Sequence, residues 1–321
     1  MLILGHDDVM AALDPRECAT AMARVLAAQA RGEALMPLRS MIPFDGAAGF
    51  MATMPAWRGG ADPVFALKAL CIMPGNPARG LDSHQGTVTL FDGSTGAPRA
   101  ILDASAITSV RTAAVSAVAT ERLAREDARV LAILGAGVQG RAHLRALPGV
   151  REFSEIRVFS PNPAHARAVA DGGGAVVAAS AEEAVRGADV IVTATTSVEP
   201  VLRREWLAPG AHVNAVGASV PSARELDTET MVASVLFCDS RESLRHESGE
   251  YRLAIEEGLI ERDGHVRGTL GEVLAGLAPG RLGAEELTVF RSLGLAVEDL
   301  AAAEAAVTRA RALGIGVEVA L

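Results

Sequence analysis

Arg129-Val130-Leu131-Ala132-Ile133-Leu134 runs straight into Gly135-Ala136-Gly137-Val138-Gln139-Gly140. An apolar run of that length reads as a strand buried on both faces, and the residues after the glycines open a helix. The spacing suits a joint that takes a pyrophosphate. Gly135 permits the tight turn, Gly137 lets phosphates approach the backbone, and Gly140 lets helix and strand pack closely. The helix N-terminus adds free N–H groups and the positive end of a dipole. Taken alone the spacing is a weak signal, because the chain holds 32 glycines among 321 residues. Its context strengthens it: apolar runs at 155–159, 175–178, 189–195 and 212–217 alternate with helical segments downstream. That alternation predicts an α/β fold with a central Rossmann-type, doubly wound parallel sheet that binds a dinucleotide.

The end of the second strand selects the dinucleotide. An acid about 20 residues past the turn normally holds the ribose 2′-hydroxyl of NAD. Here the strand ends Phe159-Ser160-Pro161-Asn162, with His165 and Arg167 beyond and no carboxylate. Ser160 and Asn162 can donate to a 2′-phosphate, so NADP(H) is favoured and NAD(H) is possible.

Upstream the pattern is different. Asp14-Pro15-Arg16-Glu17 reads as a capped helix start, with the helix running to about Gly32. Residues 37–54, 64–73 and 85–102 read as strands, and Phe91 to Pro98 holds a turn between two apolar runs. A helix rich in Ala, Ser and Thr is expected at 104–123, and an alanine-rich one at roughly 295–312. The N-terminal region is therefore α+β.

Composition narrows the function. The net charge is −9 with acids and bases interspersed, which argues against nucleic acid or an anionic membrane as a partner. Three scattered cysteines, Cys18, Cys71 and Cys238, suit reduced thiols rather than a disulfide framework. The histidines show no metal-ligand spacing, so no metal is expected. The start, MLILGHDDVM, reads as neither a signal peptide nor a membrane span. A cytoplasmic protein is the expectation.

Several polar residues interrupt apolar patterns. Lys68 lies inside Val64-Phe65-Ala66-Leu67-Lys68-Ala69-Leu70-Cys71-Ile72, Arg111 inside a helix of small residues, and Arg39 inside Met36 to Ile42. Lys68 alone reads as reaching a solvent edge or, slightly favoured, sitting in a pocket, and Arg39 and Arg111 alone as surface or helix-face cations; together they suit a clamp for a carboxylate, with arginine giving the bidentate fork. His84 opens the strand before the hairpin, either as a proton donor or as a turn residue. Ser219 and Glu247 follow the fifth strand of the parallel sheet, where ligands bind in such folds or where side chains merely cap.

The strings SHQGTVTLFD, SVRTAAVSAVAT, GAGVQG, EWLAPGAHVNAVGAS and FRSLGLAVEDL resemble the ornithine cyclodeaminase/mu-crystallin family, from about Met36 to Glu304 and most nearly its mu-crystallin, ketimine-reducing branch. The resemblance implies a homodimer in which residues 1–112 with 300–321 form the substrate-binding and dimerisation domain, and 113–299 the dinucleotide-binding domain. It implies a carboxylate clamp of Arg39, Lys68 and Arg111, with His84, Gln85 and Glu247 near the substrate; for the proton, the candidates are Lys68, His84 or a bound water. It places Arg111, Thr112, Gly135, Gly137, Val138, Gln139, Ser160, Asn162, Thr195, Thr196, Val216 and Ser292 along the cofactor. The arginine common beside the 2′-phosphate in mu-crystallins is absent. Ser219 stands where cyclodeaminases of the family carry an aspartate, and a hydroxyl cannot serve as their carboxylate base.

The expected activity is therefore NAD(P)H-dependent reduction of a small imino acid, such as pyrroline- or piperideine-2-carboxylate, to an amino acid. The alternatives are an ornithine cyclodeaminase-type lyase, an alanine-dehydrogenase-like enzyme, and a binding protein that holds cofactor without turnover.

Overall fold

The computed structural model describes residues 1–43, 49–262 and 264–320. Two compact units divide the chain: Met1–Arg111 with Leu295–Leu321, and Thr112–Gly294. The second crossing thus falls earlier than the expected boundary at residue 299. Residues 295–299 belong with the first unit because Glu298 and Asp299 form ion pairs there with Arg111 and Lys68.

The first unit is built on a sheet of eight strands: β1 (Leu2–Leu4), β2 (Ala34–Leu35), β3 (Ser40–Pro43), β4 (Phe50–Arg58), β5 (Val64–Ile72), β6 (His84–Asp92), β7 (Pro98–Asp103) and β16 (Val317–Glu318). Their order is β16-β1-β7-β6-β5-β4-β2, with β3 also pairing β4. The stretch expected as one strand at 37–54 is thus two, and residues 44–48 within it lie outside the described residues. The short β1 and β16, too brief to show a period, escape sequence reading; β1 is the parallel neighbour of β7.

Helix Pro15–Ala30 begins where the sequence places it, with the Asp14 carboxylate accepting from the Arg16 and Glu17 backbone at 2.8 and 3.1 Å. Helix Ala296–Leu313 packs against it and across β4, β5 and β6. Most of that helix is buried, which small side chains such as Ala301, Ala302, Ala303 and Ala306 allow. Strand alternation then sorts β5: Val64, Ala66, Lys68 and Leu70 are buried, while Phe65 is exposed and Leu67, Ala69 and Cys71 are half-buried.

The second unit holds an eight-stranded sheet of β8 (Val130–Leu134), β9 (Glu155–Phe159), β10 (Val176–Val177), β11 (Val190–Thr193), β12 (His212–Ala215), β13 (Val235–Cys238), β14 (Val266–Thr269) and β15 (Thr288–Arg291). The order is β10-β9-β8-β11-β12-β15-β13-β14, and every pairing is parallel. Leu131 and Ile133 enter one core while Ala132 and Leu134 enter another, so the central strand is apolar on both sides. The expected α/β class and parallel sheet are what the structure has. Strands β13 to β15 were not expected: each is four residues long, and β14 and β15 carry an arginine. Among the described residues no helix is long and apolar enough to cross a membrane.

Candidate active site

In the first unit, register gathers the polar residues. Lys68 pairs with Met54 on β4 and with Val88 on β6, and two residues closer to the start of β6 on the same face comes Gly86, then His84. Lys68 is 2% exposed, and its ammonium donates to Thr108 Oγ1 at 2.5 Å and to Asp299 Oδ1 at 3.0 Å. Those are its partners among the described residues, which leaves one of its three N–H donors for a ligand. Thr108 turns its own proton back to the Ala104 carbonyl at 2.6 Å, so its lone pair faces the lysine. Arg111, one turn on from Thr108, donates Nε to the same Asp299 Oδ1 at 3.1 Å and Nη1 to Glu298 at 2.7 Å.

Electrostatics follow the geometry. Burial pushes the Lys68 ammonium down to about 8; Asp299 opposes the shift, and Arg111 and Arg39 add to it. Arg39, half-buried just before β3, is thus the third cation of the group. His84 is also held below the usual histidine range, first by burial and then by Lys68, with Asp82 opposing. Its Nδ1 lies 3.1 Å from Ser83 Oγ, and its backbone N–H donates to Asp82 at 2.9 Å. The structure therefore brings together Arg39, Lys68, His84 and Arg111.

Gln85 is a different case. It is exposed, its strand position puts it on the opposite face from His84, and its amide donates to the Asp82 carbonyl at 3.1 Å. Ser219 and Glu247 belong to the second unit, Ser219 in the loop after β12 and Glu247 buried at the end of helix Arg241–Glu247.

In the second unit, β8 leads through Gly135 into helix Val138–Ala146, whose N-cap, Gly137, has no side-chain cap. Gly135 has φ +119°, and a Cβ there would sit 2.3 Å from the Ala194 carbonyl oxygen. A Cβ on Gly140 would sit 2.1 Å from the Gly135 carbonyl oxygen, whereas one on Gly137 would meet nothing within 4 Å. Two glycines close the joint and the third opens it, which fits a pyrophosphate on the first turn of the helix. Val138 is exposed beside that opening and Gln139 follows it.

Most of the other residues expected along the cofactor lie at the C-terminal ends of strands, where open parallel sheets bind ligands. Ser292, just past β15, is buried, and its hydroxyl has no partner among the described residues. Such a group is costly unless a ligand completes it. Val216 is buried directly after β12, Thr195 is half-buried and Thr196 exposed after β11, and Thr112 is buried on helix Ala104–Leu123. At the end of β9, the Asn162 carbonyl caps the next helix by accepting from Ala164 at 3.0 Å, which leaves its amide protons and the Ser160 hydroxyl as donors.

Three buried acids bonded to these candidate residues escape sequence reading. Glu298 and Asp299 look like ordinary first-turn helix acids, placed for the dipole. Glu225, fully buried, accepts from Thr195 N at 2.7 Å, Thr195 Oγ1 at 2.8 Å, Thr193 Oγ1 at 2.9 Å and Gly217 N at 2.7 Å, and so ties the loops that leave β11 and β12. One signal was present in composition. Of 30 basic side chains, 29 are arginine, and Lys68 is the only lysine in the chain.

A model of the ornithine cyclodeaminase/mu-crystallin family matches residues 1–313. The chain is similar to the ketimine reductase mu-crystallin of Mus musculus, 42% identical over 275 residues that cover 85% of this chain and 84% of that protein. Among solved structures it is similar to the Δ(1)-pyrroline-2-carboxylate reductase of Thermococcus litoralis in complex with NADH and L-proline. That match has a TM-score of 0.95 and 36% identity, and covers 99% of this chain and 100% of the other. An archaeal alanine dehydrogenase dimer with bound NAD matches with a TM-score of 0.93 and 34% identity, over 100% of this chain and 99% of that one.

Proposed function

Because this chain belongs to the ornithine cyclodeaminase/mu-crystallin family, we propose that it reduces a small cyclic imino acid, of the pyrroline- or piperideine-2-carboxylate type, to the amino acid. The observation that carries this reading is the one lysine, buried beside Arg111 and Arg39 with a donor to spare. Arg39 and Arg111 take the substrate's carboxylate, arginine's fork being suited to it. Lys68 gives the proton that the ring nitrogen needs, from the donor not engaged by Thr108 or Asp299. When bound along Gly137, Gln139 and Ser292, a nicotinamide dinucleotide supplies the hydride. The protein's contribution is to fix the anion, so that the C=N carbon is held in one orientation. Ser219, in place of a carboxylate, favours reduction over ornithine deamination.

The donors left at Ser160 and Asn162, with no acid beside them, support use of NADPH; both solved relatives above were captured with the unphosphorylated cofactor. We expect kcat/KM for NADPH and NADH to lie within about tenfold of one another, the side favoured being NADPH. The test is optical: oxidation of each cofactor with pyrroline-2-carboxylate, piperideine-2-carboxylate, or pyruvate plus ammonia or methylamine. Stoichiometric loss with a cyclic imine is the expected result. Proline and ammonia from ornithine without net cofactor change would overturn the reading, and turnover confined to pyruvate plus ammonia would move it to an alanine dehydrogenase.

The assembly expected is a homodimer through the outer sheet face, where Trp57, Phe65 and Phe91 lie side by side in register. Phe65 is 46% exposed there, between the half-buried Trp57 and Phe91. Phe65→Glu is expected to weaken association by about a hundredfold, read by sedimentation equilibrium. A wild-type chain that sediments as a monomer would refute the assembly. Reduced, buried thiols at Cys18 and Cys238, the first pushed up to about 12 by burial, suit a cytoplasmic setting.

A further inference from the structure

Asp299 sits at the start of helix Ala296–Leu313, 231 residues along the chain from Lys68, and is 1% exposed. One of its oxygens, Oδ1, accepts from both Lys68 Nζ and Arg111 Nε, at 3.0 and 3.1 Å. The other, Oδ2, is buried and has no partner among the described residues. A buried carboxylate that spends one oxygen on two cations and leaves the other bare is an expensive way to stabilise a fold. It is an economical way to hold two cations at a fixed separation.

We propose that Asp299 is the positioning residue of the site: it fixes the spacing of Lys68 and Arg111 and keeps the amine of Lys68 protonated until substrate arrives. This rests on the imine-reduction reading above and adds a residue to it. The groups that face Lys68 are Arg39 from the approach to β3, His84 on β6, Thr108 and Arg111 on helix Ala104–Leu123, and Asp299 on helix Ala296–Leu313; Glu298 reaches the group through Arg111. Of those that touch Lys68 itself, only Asp299 carries a negative charge. Burial and two neighbouring arginines push the amine toward its neutral form, and one carboxylate opposes all three. Removing that charge shifts the lysine further toward its neutral form, and so toward having no proton to give.

Because Lys68 is the only lysine, ¹³Cε-lysine labelling gives one side-chain signal, whose shift reports its charge without any turnover. The wild-type midpoint is expected near 8. In Asp299→Asn it is expected to fall by about one to three pH units, as loss of an adjacent opposite charge does. Asp299→Glu keeps the charge but moves it: the midpoint stays within about half a unit while kcat/KM drops roughly tenfold to a hundredfold. A folded Asp299→Asn chain with an unmoved midpoint would overturn the proposal. So would Asp299→Glu with wild-type kcat/KM, which decides the matter if the asparagine variant does not fold. The titration is independent of activity, so a chain that shows the shift yet reduces no imine refutes the function and leaves the role of Asp299 standing.

Discussion

Lys68→Arg is expected to lose about two to four orders of magnitude in kcat/KM for imine reduction, the usual contribution of a placed proton donor. The substitution keeps the positive charge and the capacity to bind a carboxylate. It removes the capacity to release a proton, since a guanidinium does not deprotonate in proteins. In the wild type, activity that needs the charged amine is full at neutral pH and falls as pH rises through about 8, where Lys68 loses its proton. In Lys68→Arg that limb is expected to vanish along with most of the rate. Near-wild-type activity in the variant would mean that the lysine is only a carboxylate ligand, and that the proton comes from His84 or water. Composition bears on the choice, because a chain that uses arginine at 29 of 30 basic positions keeps lysine at this buried one.

The second large effect separates binding from folding within one loop. Gly137→Asp is expected to weaken dinucleotide binding by about two orders of magnitude or more, from a carboxylate set against the pyrophosphate, with no loss of thermal stability. The space around Gly137 is open, so the new side chain displaces nothing. Gly140→Ala is expected to do the reverse in sequence of cause. Its Cβ would sit 2.1 Å from the Gly135 carbonyl oxygen, and backbone must move to admit it. Overpacking of that kind costs about 1–3 kcal/mol, which lowers the melting temperature by several degrees. Calorimetry of both variants, with and without NADH, checks the contrast; an NADH-induced rise in melting temperature in Gly137→Asp equal to that of the wild type would show that the opening is not a ligand site.

The strand–glycine–helix joint is legible in the sequence because one local rule, turn geometry at a buried strand's end, sets all three glycines. The clamp is only half legible. Lys68 and Arg111 stand out as charges in apolar surroundings, but that they meet depends on β5 register and on the helix that carries Arg111. Their counterions are not legible at all. Glu298 and Asp299 occupy the first turn of an alanine-rich helix, where acids are ordinary, and only tertiary packing turns them inward. Gln85 shows the converse: it adjoins His84 in sequence, and the pleat sends it to the other face. The later strands of the parallel sheet are short and partly charged, so their identity comes from their neighbours rather than from any period.

The place of Lys68 in the middle of β5 gives the chain an unusual relation to proteases. An enzyme that cuts only after lysine meets one target in 321 residues, and it lies within a strand paired on both sides, with its side chain 2% exposed. Such an enzyme acts only on molecules in which that strand has come out of the sheet, and each event yields the same two fragments, 1–68 and 69–321. The rate of that single cut is a clock for the opening of the first unit, native to the chain and requiring no label.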